Sequence, residues 1–164
     1  IFNQKLMKAW LPILFLSLLT LAGCRDKNNK TFSGYLNCFI NSATYESNNP
    51  EFSTSNFSDP SSGNTITRTR LDFPGTNGGF LNIYFEGEET GNFNITSSGV
   101  NSAFYTDINA NDYFHTTGII SITEYKTANG ETTISGNFEF SAQSQISQSF
   151  LQFTNGNFSI TKYN

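Results

Sequence analysis

The chain is poor in charge, and this limits the partners it can have. Only 13% of its 164 residues are charged, with 9 Lys and Arg against 13 Asp and Glu, so the formal net charge is −4. Binding to nucleic acid depends on a surplus of basic side chains that face the phosphates. The sequence therefore argues against a nucleic-acid partner.

Cysteine, histidine and tryptophan are also scarce, with two, one and one residues. Cys38 is the single thiol that remains if Cys24 carries a lipid, so no disulfide can form within the mature chain. The lone His115 has no second histidine at metal-ligand spacing, and we expect neither a metal nor another cofactor. Trp10 lies in the apolar leader, so the mature domain lacks this common sugar-stacking ring.

What the sequence does contain is an apolar leader that ends in a lipid-attachment pattern. Residues 1–23 have two Lys, no acid and an apolar run of about 13 residues, shorter than the roughly 20 that a membrane-spanning helix needs. The leader ends in Leu21-Ala22-Gly23-Cys24, which resembles the bacterial lipobox, in which the cysteine thiol receives a diacylglyceryl group. We expect a lipoprotein signal peptide over 1–23 and membrane attachment through acyl chains on Cys24.

A polar tether is expected over 24–32 and an all-β domain over 33–164. Apolar residues in this region recur in short alternating runs separated by Gly, Asn, Asp and Ser, which is typical of strands and turns. No stretch beyond the leader has apolar residues at helical spacing. We expect an antiparallel β-sandwich of nine or ten short strands joined by hairpins, with an up-and-down β-barrel as the alternative.

The clearest predicted element is a hairpin from Tyr113 to Ala142, with Asn129-Gly130 as its turn. A second hairpin is predicted from Tyr35 to Glu46. Further strands are predicted at Thr65–Phe73, Phe80–Glu86, Asn92–Thr96 and Ala103–Thr106. The last two strands, Gln148–Thr154 and Asn157–Tyr163, are predicted around a two-residue turn at Asn155-Gly156.

The polar stretch Ser47–Asn64 is predicted as a long loop, and it contains Phe52 and Phe57. A connector needs no aromatic rings, and exposed rings contribute much of the affinity at interfaces. These two residues are therefore candidate ligand-binding residues. The alternative is that both rings fold back onto the sheet, which removes apolar surface from water without any partner.

Other candidate residues have simpler structural interpretations. Cys38 lies on the apolar face of its strand, so we expect a buried side chain and not a nucleophile activated by His115. Asp107–Asp112 has oxygen-bearing side chains at positions one, three and five of a calcium loop but lacks the rest of that pattern, and we expect a solvated turn. Glu86–Glu89 is expected to be a hydrated loop tip.

Four strand-and-turn segments stand out, namely Tyr35–Asn41, Gly118–Tyr125, Ile134–Phe140 and Thr154–Phe158. They resemble segments of a family of small Bacteroidota lipoproteins. The resemblance covers most of the domain. It implies a lipobox leader, an all-β domain without a characterised function, and a location in the outer membrane.

The function expected from these features is that of a lipid-anchored envelope protein with a non-catalytic binding or structural β-domain. Its partner would be a glycan or a protein at the cell surface, since Tyr and Phe can stack on sugar rings. The alternative is an extracytoplasmic hydrolase acting on a glycan or envelope polymer, which would need two carboxyl groups facing each other across a cleft. The sequence singles out no catalytic residue.

Overall fold

The structure is a computed structural model that describes residues 31–59, 62–96 and 99–163. The expected signal peptide, Cys24 and residues 24–30 of the expected tether lie outside these residues. The first strand begins at Phe32, one residue before the expected start of the domain.

The described residues form ten β-strands and no helix, which confirms the all-β class and the expected number of strands. The strands are β1 (Phe32–Ile40), β2 (Ala43–Ser47), β3 (Glu51–Ser58), β4 (Thr65–Pro74), β5 (Phe80–Glu86), β6 (Gly91–Thr96), β7 (Ser102–Thr106), β8 (Asp112–Ala128), β9 (Glu131–Ser144) and β10 (Phe150–Tyr163).

All ten strands belong to one antiparallel sheet. Nine of them follow the order β2-β1-β10-β9-β8-β7-β5-β4-β3, and β6 pairs with β8 beside β7. In the described part of the chain β2 and β3 are the two ends of this order and do not pair with each other, so the sheet is not closed. The open arrangement agrees with the expected sandwich and not with the closed alternative.

Aromatic contacts join strands that are far apart in the sheet order. The ring of Phe73 in β4 lies 5.6 Å from that of Phe158 in β10, and both are buried. The hydroxyl of Tyr45 in β2 donates a hydrogen bond of 2.6 Å to the carbonyl of Phe73. Burial of each such side chain is worth about 1.5–3 kcal/mol. These contacts hold the two halves of the sheet face to face around one core.

The hairpin of β8 and β9 confirms the clearest prediction. Its turn consists of Asn129 and Gly130, both with positive φ, as a two-residue turn of this type requires. Along β9 buried and more exposed residues alternate from Thr132 to Ser144. The alternation in the sequence therefore predicted correctly which side chains face the core.

The prediction of a loop over Ser47–Asn64 is wrong, because this segment contains strand β3. Glu51–Ser58 pairs with β4 in continuous antiparallel register. β3 is an end strand with a single fully buried side chain, Phe52, a half-buried Phe57, and polar residues at its other positions. A strand with one anchoring ring shows no apolar alternation, so its sequence looks like that of a loop.

The prediction of a hairpin turn at Asn155-Gly156 is also wrong. These residues form a β-bulge inside one continuous strand, β10, which pairs with β9 on one side and β1 on the other. Asn155 has a φ of 52°, a value that both a two-residue turn and a bulge can use. The Asn-Gly pair does mark a residue with positive φ. Pairing of β10 with both β1 and β9 decides that a bulge forms there and not a turn.

Gly156 is required at this bulge by close packing. A Cβ atom added to Gly156 would lie 2.5 Å from the ring of Phe138, its partner in β9. The Phe138 side chain is almost completely buried, so its ring has little room to move. The missing side chain of Gly156 thus makes room for a core ring.

We expect Gly156→Ala to destabilise the protein by about 1–3 kcal/mol, because the added methyl group overpacks the core against Phe138. Urea unfolding measures the change. Gly91→Ala is the matched control, since its Cβ would meet only the Phe93 ring at an ordinary 3.4 Å. That control should change stability by no more than about 0.5 kcal/mol. Equal effects of the two substitutions would contradict this account of the bulge.

Candidate functional site

A groove of about 440 Å³ lies on the outer face of β8, β9 and β10, opposite the core. Its polar and apolar side chains come from Ile119, Ser121, Asn137, Glu139, Asn155 and Asn157. Gly156 and Phe138 also line it. This groove, named here the amide groove, is centred on the bulge of β10.

The bulge determines which side chains meet in the amide groove. It shifts the register between β9 and β10, so that Asn157 lies directly opposite Asn137 while Gly156 lies opposite Phe138. On the other side of β9, Asn137 is in register with Ser121 of β8. Three polar side chains therefore lie side by side across three neighbouring strands.

Three of the six outward pairs between β9 and β10 are joined by side-chain hydrogen bonds. These pairs are Thr133 with Thr161 at 3.1 Å, Ser135 with Ser159 at 3.0 Å, and Ser141 with Gln152 at 3.1 Å. Asn137 and Asn157 are an outward pair too, but their side chains do not bond to each other. The Asn157 amide instead makes a long contact of 3.4 Å to the carbonyl of Asn155.

Other polar side chains of the amide groove also lack hydrogen bonds to neighbouring side chains. Within the described ranges Ser121, Asn137 and Glu139 make no side-chain hydrogen bond to another residue. A carboxamide offers two donor hydrogens and one acceptor oxygen. The groove thus presents unused hydrogen-bonding capacity between rows of side chains that bond to each other.

Strand β1 extends this surface with exposed rings. Asn37 lies in register with Asn157, which continues the polar row onto a fourth strand. Tyr35 and Phe39, the next outward residues on either side of Asn37, are 44% and 40% exposed. Aromatic rings at this exposure offer flat apolar surface to a ligand.

The residues that line the amide groove include one acidic side chain and no basic one. Glu139 is the one charged residue among those that line it. The basic residues of the described chain, Arg68, Arg70, Lys126 and Lys162, do not line it. The groove therefore favours hydrogen bonding to a ligand over attraction of an anion.

The two candidate ligand-binding rings lie elsewhere. Phe52 is 6% exposed and packs edge-on against Phe32 with ring centroids 5.6 Å apart, so it belongs to the core. Phe57 is half-buried, and the guanidinium of Arg68 lies 4.8 Å above its ring. Phe52 therefore folds back onto the sheet, which was the alternative to a ligand-binding role. Neither residue contributes to the amide groove.

Cys38 and His115 are not brought together, and both have structural partners. Cys38 is 3% exposed within the core. His115 lies where β8 changes its partner from β7 to β6. Its Nε2 is 2.9 Å from the carbonyl oxygen of Thr96, and its Nδ1 is 2.9 Å from that of Ala103. The imidazole thus links the backbones of two strands that follow each other beside β8.

The segment Asp107–Asp112 contains a turn closed by its own side chains. The carboxylate of Asp107 accepts hydrogen bonds of 2.8 Å from the backbone N–H groups of Asn109 and Asn111, and one of 2.9 Å from the Asn111 amide. Slight burial raises the pKa of Asp107, but these hydrogen bonds outweigh it and lower the pKa overall. Its oxygens are used to hold the turn.

The acidic loop tip Glu86–Glu89 is held by hydrogen bonds to its neighbours, among them one of 2.6 Å from the Thr69 hydroxyl to the carbonyl of Gly87 and one of 3.3 Å from the Tyr125 hydroxyl to the carboxylate of Glu88. Over residues 31–59, 62–96 and 99–163, no three His, Cys, Asp or Glu side chains are grouped so that they could hold a metal ion.

Sequence reasoning missed the amide groove because of the misread bulge. Asn137 was visible as an outward residue of β9, since its neighbours alternate regularly. A turn at Asn155-Gly156 would have ended the strand before Asn157, so nothing placed these two asparagines side by side. An Asn-Gly pair with long alternating segments on both sides is a signal that allows a bulge as well as a turn.

Comparison with known proteins places the chain in a family. Residues 65–160 match the family described as Domain of unknown function (DUF6252). The chain belongs to the DUF6252 family. The match spans β4 to most of β10 and includes all residues that line the amide groove, whereas β1 to β3 precede it. Neither a curated protein nor a solved structure matches the chain. The described part of the chain contains no helix that could cross a membrane.

We expect the Cys38 thiol to be almost unreactive in the folded protein. Burial raises its pKa to about 12. At pH 8 this reduces the reactive thiolate on the order of a thousandfold relative to an ordinary cysteine. In a Cys24→Ser variant, Ellman's reagent should release colour quickly in denaturant and only slowly under native conditions. Fast reaction of the folded protein would show that the strand face around Cys38 opens readily.

Proposed function

We propose that this DUF6252 protein is a lipid-anchored protein of the bacterial cell envelope whose β-domain binds a ligand without catalysis. The observation that carries the binding role is the uncommitted polar surface of the amide groove. Neighbouring outward pairs use their hydroxyl groups to join strands, whereas Asn137 and Asn157 lie opposite each other and remain available. Side chains that stabilise the sheet would be expected to bond to each other.

The anchoring part of the proposal rests on the sequence before the described residues. The leader and the sequence Leu21-Ala22-Gly23-Cys24 support lipidation of Cys24. Two or more acyl chains suffice for stable attachment to a bilayer, because each buried methylene contributes about 0.8 kcal/mol. The resemblance to Bacteroidota lipoproteins supports the outer membrane as the location.

The non-catalytic character is supported by the chemistry of the amide groove. Carboxamides and aliphatic hydroxyls donate and accept hydrogen bonds but do not ionise near neutral pH, so by themselves they are poor general acids and bases. Hydrolysis of a glycosidic bond generally uses a pair of carboxyl groups at a defined separation. Glu139 is the single carboxylate among the residues that line the groove. No observation favours the hydrolase alternative at this site.

For the anchor, we expect Cys24→Ala to abolish lipid attachment. The variant should be released from membranes or accumulate as uncleaved precursor, because the acyl acceptor is missing. Fractionation of cells followed by a carbonate wash measures this, with the unaltered protein as control. A variant that remains in the washed membrane fraction at its mature size would contradict the anchor.

For the binding surface, we expect Asn137→Ala/Asn157→Ala to lose its ligand and keep its stability, because both amides face outward without a cross-strand bond. The matched control is Thr133→Ala/Thr161→Ala on the same sheet face. That control removes one cross-strand hydrogen bond, so it should lose about 0.5–1.5 kcal/mol of stability but keep the ligand.

The measurement combines urea unfolding with retention of solubilised envelope material on the immobilised proteins. The two double variants should show opposite patterns, with retention lost in one and stability lowered in the other. Equal retention by the unaltered protein and the asparagine variant would remove the amide groove as the binding site.

A further inference from the structure

The ligand class of the amide groove follows from its hydrogen-bonding groups, its charge and its neighbouring rings. We infer that the groove binds a neutral glycan whose sugar units lie across the strands. This inference rests on the binding function proposed above and specifies the ligand of the same site.

The polar row has the right chemistry for sugar hydroxyls. The row consists of four residues in register on four neighbouring strands, namely Ser121, Asn137, Asn157 and Asn37. Adjacent strands are about 4.8 Å apart, so the row extends roughly 14 Å, the length of a short oligosaccharide. A sugar hydroxyl is both a donor and an acceptor, and so are the carboxamide and serine side chains that face it.

Charge selects against acidic glycans and phosphates. The carboxylate of Glu139 lies in the amide groove, and no lysine or arginine is among the residues that line it. The domain from Thr31 to Asn164 has four basic and twelve acidic residues, so its own balance is 4 − 12 = −8. An anionic ligand would have to approach this field without a basic partner. A neutral ligand faces no such penalty.

The exposed rings supply the apolar part of sugar recognition. Tyr35 and Phe39 project from the same outer face of β1, on either side of Asn37, and Ile119 lies at the opposite side of the groove. The faces of a pyranose ring that bear C–H groups can pack on such rings, while its hydroxyls reach the polar row. Together, flat rings and amides that do not bond to each other match a molecule with apolar faces and polar edges.

A protein ligand fits the groove less well. Stable protein interfaces bury about 800 Å² on each partner and have a contiguous apolar centre. Here the two exposed rings are separated by Asn37, and five of the eight residues that line the groove beside them are polar. A groove of about 440 Å³ is within the usual size of a small-molecule site.

The test is titration of the purified full-length protein in a zwitterionic detergent, because detergents with sugar headgroups would compete. The probes are cellotetraose, xylotetraose, mannotetraose and chitotetraose, the neutral polysaccharide fraction of the host cell's own envelope, and tetragalacturonate as the acidic comparison. We expect at least one neutral probe to bind, and tetragalacturonate to bind at least about tenfold more weakly.

Variants connect this binding to the amide groove. Asn137→Ala/Asn157→Ala should weaken binding of the neutral probe about tenfold or more through loss of hydrogen bonds. Tyr35→Ala should weaken it independently through loss of the stacking surface. Thr133→Ala/Thr161→Ala is the control and should bind as the unaltered protein does. Unchanged midpoints of thermal unfolding in the first two variants would exclude misfolding as the cause.

Each outcome has a distinct meaning. Binding of a neutral probe that both groove variants weaken supports the inference. If the affinity for the neutral probe is the same in these variants as in the unaltered protein, or if tetragalacturonate binds more tightly, the inference is overturned. If no neutral probe binds while retention of envelope material still depends on Asn137 and Asn157, the glycan is wrong but the binding function remains. If neither sugar binding nor retention depends on the groove, both proposals fail.

Discussion

The contact between Gly156 and the ring of Phe138 is the constraint on which the candidate site depends. A core ring occupies the space of a missing side chain, and the chain passes this point by adding one residue to β10. Because of that extra residue, Asn157 faces outward opposite Asn137 while the strand continues between β1 and β9. The same bulge therefore serves the packing of the core and the arrangement of the outer face.

The outer face has two kinds of polar residue, which differ in what they bond to. One kind forms side-chain hydrogen bonds across strands and so stabilises the sheet, as in the pairs Thr133–Thr161 and Ser135–Ser159. The amides beside them do not bond to each other, although amide side chains can. Amides that make no cross-strand bond add little to the stability of the sheet, and this is the observation on which the proposed ligand rests. The single carboxylate of Glu139, the lack of a basic side chain in the groove and the nearby rings are the basis for inferring a neutral glycan as the ligand.

How well the sequence predicted each element depended on where that element lies in the sheet. The hairpin of β8 and β9 is central, so its residues alternate clearly between the core and the outer face, and its Asn129-Gly130 turn is unambiguous. Strand β3 lies at an end of the sheet order and fully buries only Phe52, so its mostly polar sequence predicts a loop. An end strand can be nearly invisible because few of its side chains are buried.

The sequence by itself determined the all-β class, the acidic and uncharged-polar character of the domain, the hairpins β1–β2 and β8–β9, and many of the side chains that face the core. These features depend on alternation and on turn residues, which act over a few positions. Tertiary structure alone decided that Asn155-Gly156 is a bulge, that Phe52 belongs to the core and that four polar residues align across β8, β9, β10 and β1. Those outcomes depend on which strands become neighbours, and that choice is made by packing between residues far apart in the chain.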